Sequence, residues 1–270
     1  MRSYAKMGWF VLFAAIVLTM SVAISSVTSK PQAVKASILK PLTAESTVDE
    51  VLDFAQASKT KWKRIYVEGH VNSGNSSDTF KTWVVKPDKY RSEEGPSILI
   101  KNGNKQIIVQ TSLKKVREYN VPASTISAQD KAALDERMAV ERAKDPTLAE
   151  DGELLVNTPI NDYINPSYFV RRELKHYAKS IERVGLTTVS GRNAVQLKVV
   201  FPKELAKEDH WDVYIDCETG IMLGLVIHPL PGNEKFEQFI DKVEINPSIS
   251  EDKFTFTAPA DYTVEKGGIR

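Results

Sequence analysis

The chain has 270 residues, 42% hydrophobic and 26% charged, with a formal net charge of +1. That balance is ordinary for a globular protein, and no acidic or basic excess points to nucleic acid. The single cysteine, Cys217, excludes an internal disulfide and any metal site built on several thiolates.

The first element is an uncharged run from Met7 to Ser29, preceded by Arg2 and Lys6. Its apolar heart, Met7 to Leu18, has the length of a secretory signal, and the full run has about the 20 residues of a membrane-crossing helix. The expectation is therefore a transmembrane anchor or signal peptide over 1–29, with an anchor keeping its N-terminus inside. Residues 30–44, rich in Ser, Pro, Ala and Lys, read as a linker.

Thr47-Val48-Asp49-Glu50 is a capping box, and Val48, Val51, Leu52 and Ala55 share one helical face, so a short helix opens the domain. From Lys63 the period becomes two. Ile65 to Val71 and Thr79 to Val85 read as strands around the turn cluster Asn72–Ser77. Ser97–Lys101 and Lys105–Gln110 flank Asn102-Gly103, a hairpin signal, and Val116–Val121 is a further strand. Ser127 to Lys144 is Ala-rich, charged and thin in apolar residues, as in a surface helix or lid. Asn165-Pro166 marks the start of a helix from Ser167 to about Ala178. Strands then resume over 181–189, 194–201, 211–215, 221–227 and 236–245, and Phe254-Thr255-Phe256 alternates like a short edge strand. Strands in quick succession without intervening helices predict an α+β, mainly antiparallel fold: one curved-sheet domain over 45–270 with a helical segment near 123–180.

Chemical motifs are sparse. His70, His176, His210 and His228 are scattered, without zinc-site spacing, so no metal ligand and no cofactor is assigned. His210 and Asp212 share a strand face but lack a nucleophile, and the adjacent carboxylates read as solvated, so no catalytic residue is assigned and no enzyme is expected.

Several segments, in order, resemble the LolA-like superfamily, which includes outer-membrane lipoprotein carriers, RseB-type sigma-factor regulators and Gram-positive envelope proteins. They are Trp83 to Glu93 with Lys86-Pro87, the Asn102-Gly103 hairpin, Gly191-Arg192-Asn193-Ala194 to Leu197, Trp211 to Gly220, and Asn246-Pro247 through Phe254, Phe256 and Pro259. The resemblance implies a half-open β-barrel with helices over its concave face, here of a Gram-positive envelope member. It implies a lipid, lipoprotein acyl chain or other hydrophobic ligand held without covalent chemistry, or alternatively an RseB-like regulator that binds the outer part of a transmembrane anti-sigma factor or sensor. Strand parity assigns Ile65, Val67, Trp83, Val85, Ile98, Ile100, Val213, Ile215, Leu225 and Ile227 to the ligand-facing side. Lys86 takes the place of the carriers' basic lid-contact residue. Location on the outer side of a membrane, tethered or secreted, follows from the N-terminal run, and the resemblance implies that the membrane is a bacterial cell membrane.

Overall fold

A computed structural model describes residues 40–120, 136, 139–141, 145, 160–204 and 208–268. The expected anchor or signal over 1–29 and most of the linker lie outside the described residues. So does most of the Ala-rich segment, in which Glu136, Ala139, Val140 and Glu141 are helical. Among the described residues no helix is long and apolar enough to cross a membrane.

The helix α1 (Val48–Gln56) carries the expected capping box: Thr47 N donates to Glu50 Oε2 at 2.8 Å, and Glu50 N donates to Thr47 Oγ1 at 3.3 Å. Each end satisfies a donor the helix itself cannot. Among the described residues twelve strands follow: β1 (Arg64–Ser73), β2 (Ser76–Val85), β3 (Lys89–Glu94), β4 (Ser97–Asn102), β5 (Lys105–Gln110), β6 (Lys115–Asn120), β7 (Ser180–Val189), β8 (Arg192–Val200), β9 (Glu208–Asp216), β10 (Met222–Pro229), β11 (Phe236–Ile245) and β12 (Thr263–Gly268). Just before β7 stand the short helices α2 (Asn161–Ile164) and α3 (Ser167–Phe169), and α3 continues as a π-helix over Val170–Tyr177.

The twelve strands form one open sheet in the order β12-β6-β5-β4-β3-β2-β1-β11-β10-β9-β8-β7. It is two antiparallel meanders, β1 to β6 and β7 to β11, joined where β1 pairs with β11. Register shifts at Glu68/Gly69 and Arg183/Gly185, and two between β9 and β10, are the kind of irregularity that bends a sheet.

Three details correct the sequence reading. β3 begins two residues after Pro87, inside a stretch whose alternation is masked by charge. β12 pairs with β6 in parallel, an exception to the antiparallel rule. Phe254-Thr255-Phe256 is not an edge strand: Glu251–Phe254 is a 3₁₀ turn, with Thr255 Oγ1 donating to Asp252 O at 3.0 Å. The adjoining edge of β6 is already taken by β12, and the phenylalanines serve the sheet face instead. The helix after Asn165-Pro166 starts where expected, at Ser167, whose Oγ donates to Asn165 Oδ1 at 2.9 Å.

The packed side of the sheet changes along its width. Over β7 to β11 and on to β1 and β2, one face is apolar: Ile65 pairs with Val84, Val67 with Thr82, Leu225 with Val213 and Val213 with Leu197. With α1, α2, α3 and the π-helix this face forms the main core. Over β2 to β6 the opposite face is packed. Ile100, Ile107, Val109, Val116 and Phe254 form a second core, with Trp83, Val85 and Phe256 against it. At β2 the two cores meet back to back, Val84 in one and its neighbours Trp83 and Val85 in the other.

The motif segments are structural locks. Arg192 Nε and Nη2 donate to Asp216 at 2.6 and 3.1 Å, and the same carboxylate accepts from Thr219 N at 2.7 Å and Thr219 Oγ1 at 2.8 Å. A fully buried carboxylate needs this many donors. Gly220 closes the hairpin at φ +74, where an added Cβ would lie 2.6 Å from the Phe54 carbonyl oxygen of α1. The hairpin thus seats the opening helix on the sheet.

Candidate functional site

The apolar face of β7 to β11 is closed by short elements. α2 buries Tyr163 and Ile164, α3 buries Phe169, and the π-helix buries Val170 and Leu174. Such a long π-helical stretch is uncommon in proteins, and π segments recur at functional sites. Phe169 stacks on Trp211 of β9 with ring centroids 6.2 Å apart, and Phe201 lies 4.4 Å from the same indole. The cover is tied to α1, where Lys175 Nζ donates to Asp53 at 2.7 Å and to Gln56 at 3.2 Å. Between α1, the end of the π-helix and the start of β7 lies a cleft of about 570 Å³, lined by Val48, Leu52, Leu174 and Ile181 among others.

Among the described residues, two polar atoms in and beneath this cover have no hydrogen-bond partner: Tyr163 Oη of α2 and Trp211 Nε1 under it. Leaving a buried donor unpaired costs about 1–3 kcal/mol. The cover also carries raised carboxylates. Burial, reinforced by Glu173 and opposed by Arg172, pushes Asp162 up to about 6, and burial likewise raises Glu173. The covering layer therefore holds polar strain that an apolar lid of the same size would lack.

The residues assigned by strand parity separate onto two faces. Ile65, Val67, Val213, Ile215, Leu225 and Ile227 lie on the face beneath the helices, all of them buried except Ile227. Trp83, Val85, Ile98 and Ile100 lie on the other face, in or against the second core. The cross-strand pair Tyr66–Trp83, stacked at 5.0 Å, shows the split, because Tyr66 points away from its buried neighbours Ile65 and Val67. Parity separates the two faces of each strand, but over β2 to β4 both faces are packed, with Val84 and Tyr90 in the main core and Trp83, Val85 and Ile100 in or against the second, which parity cannot register. Lys86, expected as a lid contact, instead donates to the carbonyls of Lys59 and Trp62 (3.0 Å for the latter). Its ammonium lies 3.5 Å from the Trp62 ring centroid. Burial, with Lys59 nearby, lowers it to about 8.

The sequence reading missed Tyr163, Phe169 and Trp211 as a group, since two stand on helices and one on a strand. It also missed a cluster behind Trp211. His228 pairs directly with His210 across β9 and β10, their rings stacked 4.0 Å apart, and His228 Nε2 lies 2.8 Å from Asp212 Oδ2. Asp212 and His228 stand sixteen positions apart, which hid the pairing; the His210/Asp212 alternation was the one visible signal.

No family model and no curated protein sequence matches the chain. Solved structures with a similar backbone do. The Pseudomonas aeruginosa MucA/MucB complex matches at 15% identity and a TM-score of 0.41, over 77% of this chain and 60% of the matched one. LprF from Mycobacterium bovis matches at 8% identity and a TM-score of 0.37, over 81% of this chain and 100% of LprF. A LolA superfamily protein from Nitrosomonas europaea matches at 6% identity and a TM-score of 0.28, over 78% and 98%. The chain spans about three fifths of the MucB length it matches.

Proposed function

We propose that this chain is a non-catalytic, LolA-like binding protein on the outer side of a cell membrane. It takes an acyl chain or similar apolar ligand onto the sheet face beneath α2, α3 and the π-helix. The observation that carries the reading is the pair of unpartnered buried donors, Tyr163 Oη and Trp211 Nε1, under a thin helical cover on an otherwise apolar face. Apolar burial would drive the chain in at about 0.8 kcal/mol per CH₂. An ester or amide carbonyl on the ligand would accept from the two donors. The helices then act as a lid, displaced when the ligand enters. With the N-terminal run uncleaved, the binder is confined to one membrane.

Native mass spectrometry of the full-length protein extracted from membranes tests this reading. The expected spectrum shows an intact N-terminal mass and a bound lipid. A ligand-free spectrum, together with no binding of a fluorescent fatty acid, would overturn it.

One observation favours the second reading, a regulator that binds the outer part of a transmembrane partner. β7 ends the sheet order and exposes Val184 and Leu186 by about half, 54% and 49%. A terminal strand with apolar side chains can accept an added strand. Substituting both with Lys should abolish partner capture while leaving lipid binding intact.

A further inference from the structure

We infer that His210, Asp212 and His228 form a site for a divalent transition-metal ion, Zn²⁺ being the best match. The site lies on the sheet face opposite the covered one, and it is independent of the lipid-binding reading. One potential ligand atom from each residue lies within 4.8 Å of those of the other two. The backbone supplies this proximity. His210 and Asp212 are two apart on β9 and share a face, and His228 is the direct cross-strand partner of His210.

The donor set, two imidazoles and one carboxylate, is one that zinc takes with a fourth position open. The side chains are 17%, 14% and 31% exposed for His210, Asp212 and His228, so water can reach that fourth position. A carboxylate already orients one ring: Asp209 Oδ2 accepts from His210 Nδ1 at 2.7 Å. A carboxylate can only accept here, so Nδ1 holds the proton and Nε2 of His210 keeps its lone pair for a metal. His228 Nε2 at present shares a proton with Asp212 Oδ2. The ion replaces that proton, which passes to Nδ1 of the same ring. Metal–ligand bonds of roughly 2.0–2.2 Å in tetrahedral geometry place ligand atoms about 3.3 Å apart. The 2.8 Å pair must therefore open slightly and the wider contacts close, within the reach of side-chain rotation. Lys198, opposite Asp212 on β8, offsets part of the negative charge. One further carboxylate, Asp209, thus supports the site and one ammonium, Lys198, opposes it, and the imidazole pair decides the site.

The bound ion would staple β9 to β10 directly behind Trp211. The experiment is equilibrium dialysis of the untagged full-length protein against Zn²⁺ alone, with thermal unfolding in parallel. One saturable Zn²⁺ per chain is expected, with a Tm that rises on addition of the ion. H228A and D212N should lose both effects, D209N should weaken binding about 10-fold, and H70A, altering the separate His70–Asp241 pair, should bind like wild type. Both loss variants act at partly exposed positions, and their apo Tm values report whether they fold. Absence of saturable binding, or binding in folded H228A and D212N equal to wild type, would overturn the site.

Discussion

The two covered faces of this sheet are closed in different ways. Over β2 to β6 the cover is the extended tail after β11, and it is bolted down. Arg91 Nη1 donates to the carbonyls of Lys253 and Thr255 at 3.3 and 3.4 Å, Lys89 pairs with Glu251 at 2.7 Å, and the Lys253 ammonium lies 5.1 Å from the Trp83 ring centroid. Phe254 is inserted from that tail and is 2% exposed. Over β7 to β11 the cover is short helices ending in a π-helix. It leaves Tyr163 Oη and Trp211 Nε1 without partners and keeps Asp162 in an unfavourable site. A wall has its polar groups satisfied in the closed state. A cover that is to be displaced keeps some unsatisfied, because a second state can then compete within a few kcal/mol.

Phe254→Ala should test the wall most strongly. Emptying that site should cost about 3–5 kcal/mol in urea unfolding. Phe169→Ala, in the helical cover, should cost less and should increase binding of a hydrophobic dye. Equal losses with no gain in dye binding would erase the distinction between wall and lid.

A smaller effect is expected from pH. The native Asp162 keeps its proton up to about 6, whereas the unfolded chain releases it near 3.8. Its neutral form therefore supports the closed cover fully below pH 4, and that support is lost as pH rises through 6. Asp162→Asn should match wild type in the acid range and exceed it above pH 6 by no more than about 3 kcal/mol. Thermal unfolding of the two proteins from pH 4 to 8 reads the difference, and parallel curves would refute the strain assigned to Asp162.

The smallest stability change belongs to Tyr163→Phe. Deleting an unpartnered hydroxyl should leave stability unchanged or raise it by about 1 kcal/mol. The same variant should weaken the affinity for a fluorescent fatty acid by roughly 2- to 10-fold, the worth of one hydrogen bond. A stability loss would mean that the hydroxyl has a partner in the closed state.

Much of the fold was legible in the residues. The α1 capping box, the paired strands around Gly103 and the limits of β11 follow from local chemistry: side-chain caps, positive-φ turn residues and two-residue alternation. β3 was hidden because Lys89, Arg91, Glu93 and Glu94 dominate its pattern, while only Tyr90 and Ser92 are buried. The tail phenylalanines alternate like a strand yet serve a face, since two-residue spacing reports side-chain direction and not hydrogen-bond partners.

The sites were less legible for a related reason. Alternation identifies the two faces of each strand, but which face is buried depends on what later packs there. At β2 that choice reverses, sending Trp83 and Val85 to one core and Val84 to the other. By itself the sequence determined the α1 capping box, the hairpin at Asn102-Gly103 and the limits of β11, because these depend on residues close in the chain. Only the tertiary structure decided which sheet face lies under the short helices, that Arg192 closes on Asp216, that Tyr163 Oη and Trp211 Nε1 are left without partners there, and that His228 meets His210. Those facts arise from pairing between strands and from packing between layers, where distance along the chain carries no information.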